Sequence, residues 1–175
     1  MLVIAEAAKE DVDALLAPSI LADANINPAT RLATDYLNHF NNVVMLLDLI
    51  SSMPECAEEV LGWQPLDYPS YFAQSHFRHR DLAILAYSRA DPVLRGRFDG
   101  IVEELNTAML MAQAMLSGED PLDLETDFHL RELVEQQLKP LIAETGGLIN
   151  GTISFVPANH QMQDTAQESI DELFE

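Results

Sequence analysis

Apolar residues recur at steps of three and four along nearly the whole chain, and strand-like alternation does not. That periodicity restricts the fold to packed helices. One stripe, Tyr36, Phe40, Val43, Leu47 and Ile50, is widened by Leu37, Val44 and Leu49. It predicts a helix that opens near Asn27-Pro28-Ala29, where proline is tolerated in the first turn, and runs to about Ser52. Past Val43 this helix is apolar nearly all round, the mark of a buried central element. A second stripe, Phe98, Val102, Leu105, Met109, Ala112 and Leu116, predicts a long helix. Asp91 is its N-cap, Pro92 its first residue, and Ser117-Gly118 its stop. A third helix is predicted from Leu124 to about Glu144, with Pro140 inside the pattern as a kink or an end. Shorter helices are expected over residues 3–16, from Pro54 to Leu61 and from Arg80 to Ser88. Trp63 to Pro69 reads as a loop beside an aromatic cluster of Trp63, Tyr68, Tyr71 and Phe72. Gly146, Gly147 and Gly151 open a looser segment through Asn159.

The expected fold class is therefore all-α: an antiparallel bundle of about three long helices with shorter helices packed around it. Residues 1–151 form the domain, and 152–175 a flexible acidic tail. Val43–Ile50 is expected to pack against Ala108–Leu116, with Met109, Met111 and Met115 filling gaps. A chain of 175 residues can bury such a core without covalent staples. It could not make a disulfide within itself, because Cys56 is its only cysteine, and a thiolate zinc cage is excluded. No apolar run approaches the ~20 residues of a membrane span, and no basic-then-apolar leader opens the chain. The expected location is cytoplasmic.

Nine lysines and arginines stand against 29 acidic residues, a formal charge of −20. A field of that sign repels phosphate backbones and anionic lipid, so neither nucleic acid nor membrane is an expected partner. Basic partners are favoured. The charge is uneven. Between His76 and Arg97, Arg78, Arg80, Arg89, Arg95 and Arg97 face only Asp81 and Asp91, a net of +3. Arg78 and Arg80, with Arg95 or Arg97, are a candidate site for an anion or an acidic peptide; the bland reading is a solvated, partly paired surface.

A second candidate is Asp35, Asn38, His39, Asn41 and Asn42. Asp35 and His39 are four apart and share a helix face with Asn38 and Asn42. Asn and Asp cost helix stability in an interior, so packing or function must offset them. The run from Asn38 to Ile50 resembles the histidine-bearing helix of sensor kinases. It departs from that pattern where Phe40 stands in place of an acid and where Asn42 follows His39 by three residues, and no Gly-rich ATP lid accompanies it. A metal held by Asp35, His39 and another histidine is a further reading, although no Glu-x-x-His repeat is present, and no cofactor is expected. His79-Arg80-Asp81-Leu82-Ala83 matches the protein-kinase catalytic loop by letter, but Ala86 stands at the magnesium-binding position and no glycine-rich loop or DFG exists.

Asp48, set among apolar neighbours, is expected to need Arg31, Arg95 or Arg97 as a buried partner. Cys56, near a helix start and without a base, is expected to be inert. The tail holds five acids and no lysine or arginine. Ile170, Leu173 and Phe174 fall on one helix face there, the form of a short anchor for a partner's apolar groove. With no nucleophile elbow, nucleotide loop or metal signature, the function expected is that of an adaptor or regulator working by protein contact. A homodimer is a further expectation, because a helix apolar nearly all round exceeds what the core of one small domain can hide. The alternative is a phosphotransfer or metal protein centred on Asp35, His39 and Asn42.

Overall fold

The protein is described by a computed structural model covering residues 12–118 and 123–152. Within them every regular element is helical and no strand occurs. The acidic tail with Ile170, Leu173 and Phe174, and most of the expected 3–16 helix, lie outside the described residues.

Helix α1 is Pro18–Asp23, opened by proline at its first position. The chain then departs from expectation. Asn27-Pro28 does not start a helix. The Asn27 side-chain oxygen accepts from the backbone N–H groups of Ala29 (2.9 Å) and Thr30 (3.1 Å). Those bonds make a turn, and Arg31 follows in the left-handed region at φ 61°. Thr30 is buried and donates to the carbonyl of Ile149 at 2.6 Å, tying the loop to an element 119 residues away. A 3-10 turn, Thr34–Leu37, leads into α2, Asn38–Leu49. The helix therefore starts later than its stripe predicts: Asn27 makes the bonds of an N-cap, but the turn it opens ends at once, because Arg31 leaves the right-handed region and the Asn27 N–H donates back to the Leu32 carbonyl at 2.8 Å.

Short helices follow: α3, Cys56–Gly62; α4, Tyr68–Gln74; and α5, Arg80–Ser88. The segment expected to be loop through Pro69 turns helical at Tyr68. Asp67 caps it by accepting from the Ser70 N–H at 2.8 Å, with Pro69 in the first turn. Helix α6, Pro92–Leu116, begins and ends as expected. The Asp91 carboxylate accepts from Val93 (2.9 Å) and Leu94 (3.0 Å).

The third stripe gives one helical rod of three pieces. Helix α7 is Leu124–Leu133, a π-helical segment occupies Val134–Leu138, and α8 is Lys139–Ile149. Pro140 neither ends nor breaks this rod. It has no N–H to offer the Gln136 carbonyl four residues back, and its ring would crowd that carbonyl in an α-helix. The wider π turn, in which the Lys139 N–H reaches back to Val134, takes up the misfit. Gly146 and Gly147 are helical as well, against expectation. The stop comes at Gly151, φ +68°, where Thr152 N–H bonds to Gly147 (3.0 Å) and Gly151 N–H to Leu148 (3.1 Å).

The core unites all these elements. Tyr36, Phe40, Tyr68, Phe72 and Phe98 are wholly buried, and Tyr36 lies 5.2 Å from Tyr68 and 5.6 Å from Phe98 between ring centres. Each buried tyrosine hydroxyl is satisfied: Tyr36 donates to the Leu66 carbonyl (2.7 Å), and Tyr68 accepts from the Ala33 N–H (2.8 Å). Val43, Val44 and Leu47 share that core with Ala108, Met109 and Ala112. The helices packed along α2, however, are α3 and the α7–α8 rod. Three expectations are corrected here. Met45 is 56% exposed and Leu49 38%, so α2 is not buried all round. Asp48 is exposed, and its partner is Lys139 at 3.2 Å rather than a buried arginine. Of the three methionines expected to fill the core, Met109 is buried and Met115 half-buried, but Met111 is exposed.

Candidate functional site

The polar cluster on α2 is partly brought together. Asn38, His39 and Asn42 line a shallow concavity of about 310 Å³ with Glu59, Trp63 and Tyr71. Asp35 does not line it. Asp35 lies one turn earlier, in the 3-10 segment, and its backbone carbonyl accepts from the Tyr71 hydroxyl at 2.9 Å. Asn41 and Asn42 are exposed.

His39 itself is a packed ring. It stacks on Trp63 at 4.9 Å between centres and 29° between planes, with Phe40 at 5.1 Å and Tyr71 at 5.6 Å. Its Nε2 is buried without a hydrogen-bond partner. Burial pushes the imidazole down to about 4, partly offset by hydrogen bonding to the Gln64 backbone. The ring is thus neutral at pH 7. Trp63 is held from two sides. Its indole N–H donates to the His39 carbonyl at 3.1 Å, and the Gln113 side chain of α6 donates to the carbonyls of Val60 (2.8 Å) and Trp63 (2.7 Å). Gln113 therefore satisfies carbonyls at the end of α3 that no helix turn follows. Among the described residues, no three His, Cys, Asp or Glu side chains converge as metal ligands.

The arginines are spread over separate contacts. Arg78 and Arg80 are exposed at the entry to α5, Arg80 beside Asp81 at 3.7 Å. Arg95 stacks 5.6 Å over Tyr87 and reaches the Ser88 carbonyl, while Arg97 pairs with Glu144 at 2.9 Å. Arg95 and Arg97 are thus committed elsewhere than to Arg78 and Arg80. Cys56 is buried, in keeping with an inert thiol.

The larger concavity lies where no motif points. Between α6 and the π–α8 part of the rod runs a groove of about 760 Å³. One wall is α6, through Gly100, Glu103, Glu104, Thr107, Ala108 and Met111; the other is Gln136, Gln137, Pro140, Leu141 and Glu144. Ala108 is buried, Leu141 half-buried and Met111 43% exposed, so the floor is apolar and reachable. Glu103 and Glu104 stand exposed at the rim, and among the described residues no lysine or arginine lines it. Gly100 opens one end: a methyl group built there would meet no atom within 4 Å. The π turn and Pro140 form part of the wall, which places the most irregular backbone of the rod at the groove.

No sequence motif marks this groove, because Glu103 and Glu104 meet Glu144 only through the packing of two helices. The available signal was Gly100 inside a 25-residue helix, costing about 1 kcal/mol of helix propensity relative to alanine. No helix among the described residues is long and apolar enough to cross a membrane. Comparison with protein-family models, with curated proteins and with solved structures finds no match for this chain.

Proposed function

We propose that this chain is a non-enzymatic adaptor or regulator that works in the cytoplasm by protein contact, and that the α6–rod groove is a contact face. The observation that supports it is the groove itself: two helical walls, an apolar floor and a carboxylate rim, with no nucleophile–base pair set into it. A recognition groove needs those features, and a catalytic cleft needs more. In this reading the helices are an antiparallel bundle serving as scaffold. Residues 152–175 offer a second contact through Ile170, Leu173 and Phe174, and Arg78 and Arg80 a third, for an acidic partner. A homodimer is one form the contact can take.

The alternative, a phosphotransfer or metal protein at Asp35, His39 and Asn42, is favoured by the concavity that Asn38, His39 and Asn42 share. It ranks second because the His39 Nε2 is buried in packed surroundings and Asp35 stands outside the concavity.

The test is affinity capture from the native host with mass spectrometry. Three chains are compared: full length, one ending at Asn159, and Glu103→Lys/Glu104→Lys. The expected result is a specific partner held by the full chain and lost on charge reversal. A partner lost only on truncation moves the contact to the tail. A partner set unchanged by either alteration refutes the groove and the tail as contact faces and leaves Arg78 and Arg80.

A further inference from the structure

We propose that the groove receives a basic amphipathic helix from a partner protein. This names the partner class for the contact face above and rests on that reading.

The shape comes first. The α6 wall runs from Gly100 to Met111, eleven steps, or about 16 Å of helix axis and three turns. A second helical wall faces it. Two helical walls with an open top are what a third helix packs into, its own side chains filling the seam. Gly100, with open space above it, lets an incoming backbone approach the end of the seam closely.

The chemistry then fixes the occupant's character. Ala108, Met111, Leu141 and the Pro140 ring ask for an apolar stripe, and Met111 adapts to its shape. Glu103 and Glu104 on one rim and Glu144 on the other ask for lysine or arginine flanking that stripe. The protein already supplies one such pairing itself: Arg97 meets Glu144 at 2.9 Å, with both side chains 39% exposed. An incoming cation shares or displaces that guanidinium. The chain's own segments outside the described residues do not fit by charge. Residues 153–175 carry no lysine or arginine, and residues 1–11 set Lys9 against Glu6, Glu10 and Asp11. Neither stretch supplies the cations the rim asks for, so a partner protein is the proposed occupant.

The probe is a fluorescent peptide of leucine and lysine, about 14 residues long, with its leucines on one helix face. Its partners in the titration are the same composition in scrambled order, and spermine. The proteins are wild type, Gly100→Trp, Glu103→Lys/Glu104→Lys, and a charge-matched control, Asp23→Lys/Glu58→Lys, each checked for helicity by circular dichroism. Gly100→Trp fills the groove without touching a charge. The expected result is binding that weakens about tenfold or more in both groove variants and less than about twofold in the control. The scrambled peptide should bind about tenfold more weakly than the amphipathic one. Equal binding of both peptides, or equal loss in the control, means diffuse acidity alone and overturns the proposal. Full competition by spermine overturns it in favour of a small polycation site. If the peptide fails while the captured host partner is still lost on charge reversal, the contact reading stands and only the basic helix is wrong.

Discussion

At the residue scale His39 separates two kinds of histidine. A reactive imidazole needs an open nitrogen, whereas this one is stacked on Trp63 with Nε2 buried. Its surroundings favour the neutral ring and hold it down to about 4, against an ordinary 6.5. In that interval the unfolded chain binds a proton that the folded chain refuses. Stability is therefore complete above pH 6.5 and falls as pH drops towards 4. The interval corresponds to at most ~3 kcal/mol, reduced to roughly 1–2 kcal/mol because the ring keeps some solvent contact. His39→Phe keeps the stacking and removes the titration. Urea unfolding at about pH 7.5 and about pH 4.5 should show the wild type losing roughly 1–2 kcal/mol more than the variant. Equal losses would mean that the ring titrates freely and is not buried as described. That His39 shares a concavity with Asn38 and Asn42 was legible in the sequence; that Asp35 would fall outside it was not, nor that Trp63, 24 residues away and held by Gln113 from another helix, would cover the ring.

At the element scale the helix signals written in side-chain chemistry held best. Asp91-Pro92 and Ser117-Gly118 bound α6 as their chemistry requires. Asn27-Pro28 caps a single turn in the same way, but Arg31 takes a positive φ four residues on and the turn does not propagate. Gly151 replaces Gly146 as the stop of the rod for an equally local reason: it alone of the three takes a positive φ. That assignment predicts a specific cost. Gly151→Ala should destabilise the protein by about 1 kcal/mol, the penalty of a β-carbon in the left-handed region. Space is not the cause, since the new methyl would lie 3.7 Å from Thr30 Cγ2. The check is urea unfolding beside Gly62→Ala, whose position is helical and open and should gain stability by up to ~1 kcal/mol. A Gly151→Ala protein as stable as the wild type would mean that the C-terminal turn of α8 is not closed as described.

On the scale of the whole molecule, charge dominates. A net of −20 acts against compaction through self-repulsion, and the surface ion pairs that oppose it are individually weak. Raising salt from about 10 to about 150 mM should therefore raise the melting temperature by roughly 3–5 °C, as screening reaches most of the surface. A fall in melting temperature would mean that specific pairs such as Arg97–Glu144 and Asp48–Lys139 outweigh the general repulsion. Helicity, the two ends of α6 and the strength of the negative field can all be read from the chain before it folds. Those are properties of residues a few positions apart, or of the chain as a sum, and they survive without knowing any long-range contact. Folding had to add that Asp48 is exposed beside Lys139, that the arginines are dispersed, and that Glu103, Glu104 and Glu144 border one groove. Each depends on how helices distant in sequence are rotated against one another. A helix periodicity states which residues share a face; the packing of the other helices settles which part of that face is left to solvent.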